Sequence, residues 1–337
     1  MPIKIAINGF GRIGRAAFKI IQERPDVEVT AINDLIDHKT LLYLLKYDTA
    51  YGRYEKVCTV EGDELIVEGK RTKLLSQKDP AQLPWKDLGI DVVLECTGFF
   101  EKDGTSKAHL TGGAKAVIVS APTKGSDDIK TFLKGVNDGD YQGEVAISNA
   151  SCTTNCIAPP IAVLHEALGV KKAGLTTIHA ITATQKIVDG PDSDPRRGRA
   201  GCYNMSPTTT GAATATTKAI PALAGRFDGL AVRVPILVGS LSDITLLVEK
   251  PTTVEQVNEI FVQAAESPRY KGILGVTTDP IVSSDIVKTS YSSIIDLSMT
   301  MVIDHDLVKV LAWYDNEWGY SHRLVDMAVV VGSRVNS

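Results

Sequence analysis

The sequence predicts an α/β protein of two domains, the first with a parallel sheet covered by helices and the second with a mainly antiparallel sheet. The 337 residues suffice for roughly two domains of about 150 residues each. In the first half, short apolar runs alternate with segments of helical spacing, as in parallel strands joined by crossover helices. After residue 148, longer strands follow one another without intervening helices, which is typical of antiparallel pairing.

The elements of the first half begin with a strand at residues 3–8. Apolar residues Ile13, Ala17 and Ile20 then recur at helical spacing. A second strand at 27–33 completes a β-α-β unit. A polar helical stretch is expected around 101–110. Further buried strands are predicted at 90–95, 116–120 and 144–148. These elements indicate a parallel sheet with helices outside it.

The second half opens with a helix at 152–168, which Gly169 ends. A Thr253/Gln256 capping box starts another helix, and the loop at 185–210 is long enough to suggest a function. Strands are predicted at 174–182, 230–234, 241–249, 293–301 and 307–314. The expected domains are therefore residues 1–151 and 152–316, with a last helix within 317–337 returning to the first domain.

Composition excludes several classes of protein. The net charge is −4, from 36 basic and 40 acidic residues, and without a Lys/Arg tract this argues against a dedicated nucleic-acid binder. No apolar run approaches 18 residues, and the chain opens with a strand, so we expect neither a membrane span nor a signal peptide. Five cysteines without a CxxC pair favour a reducing cytoplasm over a disulfide framework, and we expect no metal site.

A glycine motif between the first strand and the first helix predicts a dinucleotide site. Gly9, Gly11 and Gly14 form a GxGxxG, and Asp34 ends the next strand twenty residues later. The glycines allow a pyrophosphate to approach the start of the helix, and the carboxylate accepts ribose hydroxyls and repels a 2′-phosphate. The first domain is thus predicted to be Rossmann-type and to bind NAD rather than NADP; the alternative is a structural turn with a solvated Asp. The predicted cofactor-binding residues also include Arg12, Ile13 and Ser120.

Cys152 is the candidate nucleophile among the five cysteines. Ser151 can cap the helix that begins here, which places the thiol in the first helical turn. The unpaired amides and the helix dipole are expected to lower the pKa of the thiol and so favour the nucleophilic thiolate. A buried structural cysteine is nevertheless the commoner explanation for any single thiol. That explanation is kept for Cys58, Cys96, Cys156 and Cys202.

Three segments together resemble the glyceraldehyde-3-phosphate dehydrogenase family, and the resemblance runs from the first strand to the last helix. The segments are Asn8-Gly9-Phe10-Gly11-Arg12-Ile13-Gly14-Arg15, Ala150-Ser151-Cys152-Thr153-Thr154-Asn155-Cys156 and Trp313-Tyr314-Asp315-Asn316-Glu317-Trp318-Gly319-Tyr320. The cysteine segment is highly specific to that family and its nearest relatives.

The resemblance implies a phosphorylating, NAD-dependent aldehyde dehydrogenase of glycolysis and gluconeogenesis, and a homotetramer. Cys152 would attack D-glyceraldehyde 3-phosphate to give a thiohemiacetal. His179 would support the thiolate and take the hydroxyl proton as hydride leaves for the nicotinamide. Inorganic phosphate would then release the thioester as 1,3-bisphosphoglycerate. Without the resemblance, a lone His at a strand end is more often structural, and that explanation is kept for the other histidines.

Two phosphate sites are implied by the same resemblance, and arginine can grip phosphate through two parallel hydrogen bonds. Thr182 and Arg233 would hold the substrate phosphate. The incoming phosphate would be held by Ser151, Thr153, Thr210, Gly211 and Arg197. Asn316 would fix the nicotinamide carboxamide, and Tyr320 either lies near that ring or packs in the core. For Arg196 and Arg199, a solvated or intersubunit face is an equal alternative.

The chain departs from the family pattern at Thr214, at 235–238 and at 191–195, which puts loop conformation, subunit contacts and substrate range in doubt. A rival within the enzyme class is erythrose-4-phosphate dehydrogenase; Asp34, where that branch tends to carry Glu, argues against it. A rival of another class is a redox-sensing or RNA-binding scaffold without the reaction. The presence of both Cys152 and His179 argues against an inactive scaffold.

Overall fold

The computed structural model describes residues 1–125 and 129–337. The chain forms two compact units. Unit 1 comprises Met1–Phe132, Asp140–Ala150 and Ser321–Ser337, and unit 2 comprises Leu133–Gly139 and Ser151–Tyr320. The last residues of the chain therefore belong to unit 1, although they follow unit 2 in sequence.

Unit 1 contains one nine-stranded sheet and a separate two-stranded sheet formed by its third and fourth strands. Its strands are β1 (Ile3–Asn8), β2 (Val27–Asn33), β3 (Tyr47–Asp48), β4 (Gly52–Arg53), β5 (Cys58–Glu61), β6 (Glu64–Val67), β7 (Lys70–Leu75), β8 (Val92–Glu95), β9 (Ala116–Val119), β10 (Lys130–Thr131) and β11 (Ala146–Ser148). Its helices are α1 (Arg12–Ile21), α2 (His38–Lys46), α3 (Trp85–Leu88) and α4 (Ala108–Thr111). Within the described residues, the sheet order is β10-β11-β9-β8-β1-β2-β7-β6-β5.

The centre of this sheet is parallel, as the sequence predicts. β1 pairs in parallel with both β2 and β8, and β8 pairs in parallel with β9. The four strands are apolar and buried nearly throughout, as expected for strands covered on both faces. Their carboxyl ends lie at one edge of the sheet, where ligands of such folds bind.

Two features of unit 1 differ from the sequence expectation. The helical stretch expected around 101–110 is confined to a 3-10 turn at Thr105–Lys107 followed by the short α4; Gly104, with a φ of +69°, precedes it. In addition, β5, β6 and β7 form antiparallel pairs at one edge of the parallel sheet.

Unit 2 contains a second sheet with helices on one of its faces. Its strands are β12 (Val170–Ala180), β13 (Ser206–Thr209), β14 (Phe227–Val234), β15 (Ser240–Val248), β16 (Leu274–Thr277), β17 (Ser293–Asp296), β18 (Met301–Ile303) and β19 (Leu307–Tyr314). Its helices are α5 (Cys152–Leu168), α6 (Ala212–Ala219) and α7 (Val254–Glu266), and α8 (Trp318–Val335) leads from unit 2 into the last part of unit 1. The described strand order is β13-β14-β12-β15-β19-β17-β16, with β18 beside β19.

The second sheet is mainly antiparallel, which confirms the predicted fold class. β15 pairs antiparallel with β12 and with β19, whereas β12 and β14 run parallel. β15 and β19 alternate buried and half-buried residues along their length. The buried residues form one core with α5, α6 and α7. The Thr253/Gln256 capping box is present at the start of α7 as predicted.

Candidate active site

A glycine turn joins β1 to α1, and its three glycines meet different steric requirements. Gly9 has a φ of +92°, and a Cβ on it would lie 2.7 Å from the Thr97 nitrogen. A Cβ on Gly14 would overlap the Gly9 carbonyl oxygen. A Cβ on Gly11, in contrast, would meet nothing within 4 Å. This open side of the turn, at the start of a helix, fits a pyrophosphate. The close contacts at Gly9 and Gly14 fit the other two roles of the motif's glycines, which are to allow the tight turn and the close packing of the helix against the strand.

Asp34 lies directly after β2 and holds the same turn. One carboxylate oxygen accepts a hydrogen bond from the Phe10 nitrogen at 2.6 Å, and the other accepts one from the Ile36 nitrogen at 3.1 Å. A carboxylate offers about four acceptor positions, so acceptor capacity remains for ribose hydroxyls. Its negative charge opposes a 2′-phosphate at this position.

The remaining predicted cofactor residues of unit 1 have different surroundings. Arg12 forms an ion pair with Asp48 at 2.6 Å, so its guanidinium is turned toward that carboxylate. Ile13 is the second residue of α1 and is half-buried. Ser120 follows β9, where its nitrogen donates to the Glu95 carbonyl oxygen at 3.0 Å. Ser120, Asp34 and the glycine turn therefore follow the carboxyl ends of three strands of the parallel sheet.

A buried polar network that the sequence analysis did not identify supports this edge of the sheet. The Glu95 carboxylate accepts hydrogen bonds from Asn8 Nδ2 at 2.6 Å and from the Thr97 nitrogen at 2.8 Å. It also lies 2.9 Å from His109 Nε2, and Trp85 Nε1 donates to His109 Nδ1 at 3.0 Å. His109 is therefore structural, as expected. The sequence feature that could have indicated this network is that Asn8 and Glu95 are polar residues at the ends of apolar strands.

In unit 2, the first turn of α5 presents Cys152. Ala150, which is buried, has a φ of +51°, a left-handed conformation that is strained for a residue with a Cβ. Ser151 Oγ then accepts a hydrogen bond from the Thr154 nitrogen at 3.1 Å and caps the helix. Cys152 is the first helical residue and is partly buried. The cap predicted from the sequence is thus present, and it places the thiol at the N-terminal end of a 17-residue helix.

His179 faces this thiol from the neighbouring strand β12. The distance from Cys152 Sγ to His179 Nε2 is 3.4 Å. On the other side of the ring, Nδ1 lies 2.7 Å from the Ala180 carbonyl oxygen and 2.6 Å from Arg233 Nη1. His179 and Arg233 are register partners on the parallel strands β12 and β14. The structure therefore brings the predicted nucleophile, base and substrate-phosphate arginine into one cluster.

The predicted fall in the pKa of Cys152 is wrong for this structure. Burial raises the pKa of the thiol, and the charge of Arg233 and hydrogen bonds from Thr153 only partly offset that effect. Burial, followed by the charge of Arg233, lowers the pKa of His179 to about 3. Desolvation thus outweighs the helix terminus. Both shifts favour the uncharged thiol and imidazole over a thiolate–imidazolium pair.

Tyr314 braces the cluster by linking the two elements that carry Cys152 and His179, a role that sequence reasoning missed. Its hydroxyl lies 2.9 Å from Thr153 Oγ1 and 2.9 Å from Thr177 Oγ1, so it joins α5 to β12. The Tyr314 ring also meets the His179 ring edge to face, with centroids 6.0 Å apart. Burial raises the pKa of its hydroxyl, which stays protonated. The signal available was the alternation of β19, which turns Tyr314 toward the core.

The predicted phosphate arginine of the long loop is oriented by its neighbours. Arg197 Nε donates to Thr208 Oγ1 at 3.0 Å and lies 3.5 Å from Asp194 Oδ2. Burial lowers the pKa of Arg233, and the charge of Arg197 adds to that effect. The two guanidinium groups therefore repel each other, which makes this part of unit 2 favourable for an anion. Arg199, in contrast, is exposed and pairs with Asp189 at 2.7 Å.

The other predicted ligands of unit 2 hold local hydrogen bonds. Thr210 Oγ1 accepts from the Ala212 nitrogen at 3.2 Å, and Gly211 is the N-cap of α6. The Thr182 nitrogen and hydroxyl both donate to Gln185 Oε1, at 2.8 and 3.3 Å. These contacts fix the backbone around each residue but bring none of the three into a hydrogen bond with Arg233 or Cys152 in the structure described.

Asn316, the predicted nicotinamide ligand, is buried and lies two residues after the end of β19. Its Oδ1 accepts hydrogen bonds from the Gly239 nitrogen at 3.1 Å and from Ser240 Oγ at 3.0 Å. The two contacts assign the carbonyl side of the amide and hold its orientation.

Some kinds of site are not found in the described part of the chain. All five cysteines are free. Across residues 1–125 and 129–337, no group of three or more His, Cys, Asp or Glu side chains is placed to hold a metal ion. None of the helices described is both long and apolar enough to cross a membrane.

Comparison with known proteins identifies relatives along almost the whole chain. Residues 3–103 match the model for the glyceraldehyde 3-phosphate dehydrogenase NAD binding domain, and residues 151–316 match that for the C-terminal domain. The chain is 49% identical to a glyceraldehyde-3-phosphate dehydrogenase of Borreliella burgdorferi, with 97% of this chain and 98% of the relative covered. It is 47% identical to such enzymes of Streptomyces coelicolor (99% and 100% covered) and Geobacillus stearothermophilus (99% of each).

Proposed function

Because this chain belongs to the glyceraldehyde-3-phosphate dehydrogenase family, we propose that it oxidises D-glyceraldehyde 3-phosphate with NAD and inorganic phosphate to 1,3-bisphosphoglycerate, in glycolysis and gluconeogenesis. The observation that carries the proposal is the 3.4 Å separation of Cys152 Sγ and His179 Nε2 beside Arg233. A thiol and an imidazole at this distance form a nucleophile and base pair. The neighbouring arginine suits a phosphorylated substrate.

Cys152 is the nucleophile in this mechanism. Sγ bonds to the aldehyde carbon as the carbon–oxygen double bond opens, and the proton that the thiol gives up passes to the aldehyde oxygen, which forms the hydroxyl of a thiohemiacetal. The charge of Arg233 favours the thiolate during this step, as its effect on the pKa of the thiol indicates. The Ser151 cap and the Tyr314 brace hold the first turn of α5, so that Sγ keeps its position relative to His179.

His179 is the base. The thiohemiacetal hydroxyl transfers its proton to Nε2 while the substrate carbon is oxidised, which leaves a thioester on Cys152. NAD, when bound, supplies the hydride acceptor for this step. Inorganic phosphate, held by Arg197 together with Ser151, Thr153, Thr210 and Gly211, then attacks the thioester and frees Sγ. Thr182 and Arg233 hold the substrate phosphate during both steps.

We assign the two parts of the reaction to the two units. The glycine turn, Asp34 and Ser120 of unit 1 would hold NAD, while unit 2 carries the chemistry and Asn316 orients the nicotinamide carboxamide. The steric requirements at Gly9, Gly11 and Gly14 support this assignment. The carboxylate of Asp34 supports NAD as the cofactor rather than NADP.

The direct test is NADH formation by the purified chain. Absorbance is followed with glyceraldehyde 3-phosphate in the presence and absence of phosphate, and in parallel with erythrose 4-phosphate and with NADP. We expect turnover with the triose and NAD that requires phosphate. Absence of NADH with the triose would refute the proposed substrate and favour a scaffold, faster turnover of erythrose 4-phosphate would favour the related dehydrogenase, and phosphate-independent turnover would refute the acyl-phosphate step.

We further propose that the chain forms a homotetramer in which the open face of the unit 2 sheet supplies one of the interfaces. The helices cover one face, whereas the half-buried residues of β15 and β19 lie on the other. Apolar side chains are exposed in neighbouring strands: Leu230 is 45% exposed, Met301 42% and Ile303 56%. A second copy of this chain, packed against this face, would bury these apolar side chains. Analytical ultracentrifugation is expected to give four times the chain mass, and a concentration-independent monomer would contradict it.

We also propose a cytoplasmic location, where the intermediates of glycolysis are found. The five free cysteines support a reducing compartment. Cell fractionation that recovered the NADH-forming activity outside the cytoplasm would overturn this proposal.

A further inference from the structure

Three polar atoms lie close together at the Nδ1 edge of the His179 ring, on the side away from Cys152. Arg233 Nη1 lies 2.6 Å from His179 Nδ1 and 3.0 Å from the Ala180 carbonyl oxygen. His179 Nδ1 lies 2.7 Å from that same oxygen. All three distances are short enough for hydrogen bonds, but one nitrogen of the ring cannot both accept from Arg233 and donate to Ala180.

The guanidinium decides between the two arrangements because it remains protonated and can only donate. Its two Nη1 hydrogens can satisfy Nδ1 and the carbonyl oxygen together. If Nδ1 carried a proton, that N–H would face the Arg233 N–H group at 2.6 Å. The structure therefore holds His179 with a lone pair on Nδ1 and the proton on Nε2, where it points toward Cys152 Sγ.

This tautomer is the wrong one for a base. To take the thiohemiacetal proton, Nε2 needs a lone pair, and the proton on the ring must move to Nδ1. After the transfer the ring is a cation, which a guanidinium in contact with Nδ1 opposes. His179 can act as a base only when Arg233 leaves Nδ1 and the Ala180 oxygen accepts the Nδ1 proton instead.

We propose that the phosphate group of the substrate activates the base: by binding Arg233 it draws the guanidinium away from His179 Nδ1, which allows the tautomer that accepts the substrate proton. This inference rests on the proposed function, in which Arg233 holds the substrate phosphate. It makes Arg233 a positioning residue for His179 as well as a ligand. A bound phosphate dianion also neutralises the cation that opposes an imidazolium.

The groups facing His179 from each element that packs against it are consistent with this role. Cys152 lies on α5, Arg233 on β14, and the hydroxyl of Tyr314 on β19 stays protonated because burial raises its pKa. The charge of Arg197 acts on Arg233 from the loop. Among these groups, Arg233 is the cation in direct contact with the ring.

The activated step is balanced without a further reactant. The O–H proton of the thiohemiacetal passes to Nε2, the C–H electron pair and hydrogen leave as hydride to NAD, and the carbon–oxygen bond becomes the thioester carbonyl. The Nδ1–H then donates to the Ala180 oxygen.

The test separates the substrate into two pieces, D-glyceraldehyde and phosphite dianion. With enzyme in excess, saturating NAD and glyceraldehyde, and no inorganic phosphate, the rate of the NADH burst reports the oxidation step alone. We expect phosphite to raise the limiting burst rate by at least about tenfold, equivalent to about 1.4 kcal/mol, with sodium chloride used to match ionic strength. Arg233→Gln is expected to abolish this acceleration, while Arg199→Gln, which changes an exposed arginine of the 185–210 loop that pairs with Asp189, is expected to retain it.

A second readout does not depend on turnover. Solid-state ¹⁵N NMR of histidine-labelled protein distinguishes the two tautomers, and His179→Asn identifies the resonances of His179. Nδ1 is expected to be unprotonated in the free protein and protonated when phosphite is added. The proposal is overturned if phosphite leaves the burst rate unchanged, accelerates Arg233→Gln equally, or leaves the tautomer unchanged. Wild-type NADH formation from glyceraldehyde 3-phosphate, measured alongside, tests the proposed function separately.

Discussion

Gly11→Ala is expected to weaken NAD binding while leaving the fold intact. Without NAD, the glycine turn has room for the methyl group of alanine, because a Cβ at Gly11 meets nothing within 4 Å. The backbone there is extended, with a φ of −71° and a ψ of −157°, so an alanine needs no left-handed conformation. The space that the methyl group would occupy is the space through which a pyrophosphate approaches the start of α1.

The magnitude follows from the contacts at stake. Gly11 is the N-cap of α1, and alanine is a poorer N-cap than glycine by about 0.5–1 kcal/mol, which corresponds to a fall in Tm of about 1–4 °C. Loss of one amide hydrogen bond to a charged phosphate costs about 1.5–3 kcal/mol, or about 10- to 150-fold in Kd. The effect on NAD binding is thus expected to exceed the effect on stability.

Calorimetric titration with NAD and thermal unfolding without it measure the two effects. Gly139→Ala is the matched control, since a Cβ at Gly139 in unit 2 also meets nothing within 4 Å. The alkylation rate of Cys152 should be the same in both variants, which reports an intact unit 2. If Gly11→Ala bound NAD as tightly as the wild type, the assignment of the pyrophosphate to this turn would be wrong.

Four further predictions concern the chemistry and its surroundings. Cys152→Ser is expected to abolish the NADH burst and Cys156→Ser to retain much of it; equal effects would refute the assignment of the nucleophile. Asp34→Ala is expected to raise the ratio of kcat/KM for NADP to that for NAD by about tenfold, or about 1.4 kcal/mol, and an unchanged ratio would contradict the role of its charge. Because the folded-state pKa of His179 lies below its unfolded value of 6.5, the unfolded chain binds the proton first, and lowering the pH from 7 to 5 should cost about 2 kcal/mol of stability through this residue. Urea unfolding of His179→Asn at both pH values should show a correspondingly smaller loss, and an equal loss would exclude this origin. Tyr314→Phe should lower stability by about 1–3 kcal/mol because buried threonine hydroxyls lose their partner, and slow the burst; unchanged burst rate and urea midpoint would rule out the brace.

The parts of the fold that sequence patterns predicted are those set by local order. The glycine turn and Asp34 lie within one β-α-β unit, so the spacing of a short segment determines where they meet. The cap of α5 by Ser151 and the capping box of α7 are also local. The edge strands β5–β7 were not anticipated, because their polar residues interrupt the apolar runs by which buried strands are recognised.

The features that sequence reasoning missed depend on residues far apart in the chain. The Tyr314 hydroxyl reaches Thr153 across 161 positions, and no local pattern encodes that pairing. The direction of the pKa shift at Cys152 was predicted from its helix terminus alone, whereas the burial that reverses it comes from the surrounding packing. The Arg233 contact with His179 follows from the register of β12 and β14, which a single sequence does not reveal.

The return of residues 321–337 to unit 1 sets an order of events during synthesis on the ribosome. Unit 1 lacks this segment until all of Ser151–Tyr320 has been made, about 170 residues later, which takes about 10–30 s at ordinary translation rates. Gly332 packs so closely on Ile3 that a Cβ at Gly332 would overlap the Ile3 side chain. Until Gly332 has been made, this side of Ile3 remains uncovered. Unit 2 can therefore complete its own sheet first, and the nascent N-terminal sheet must persist unfinished for that interval, exposed to chaperones and to neighbouring nascent chains.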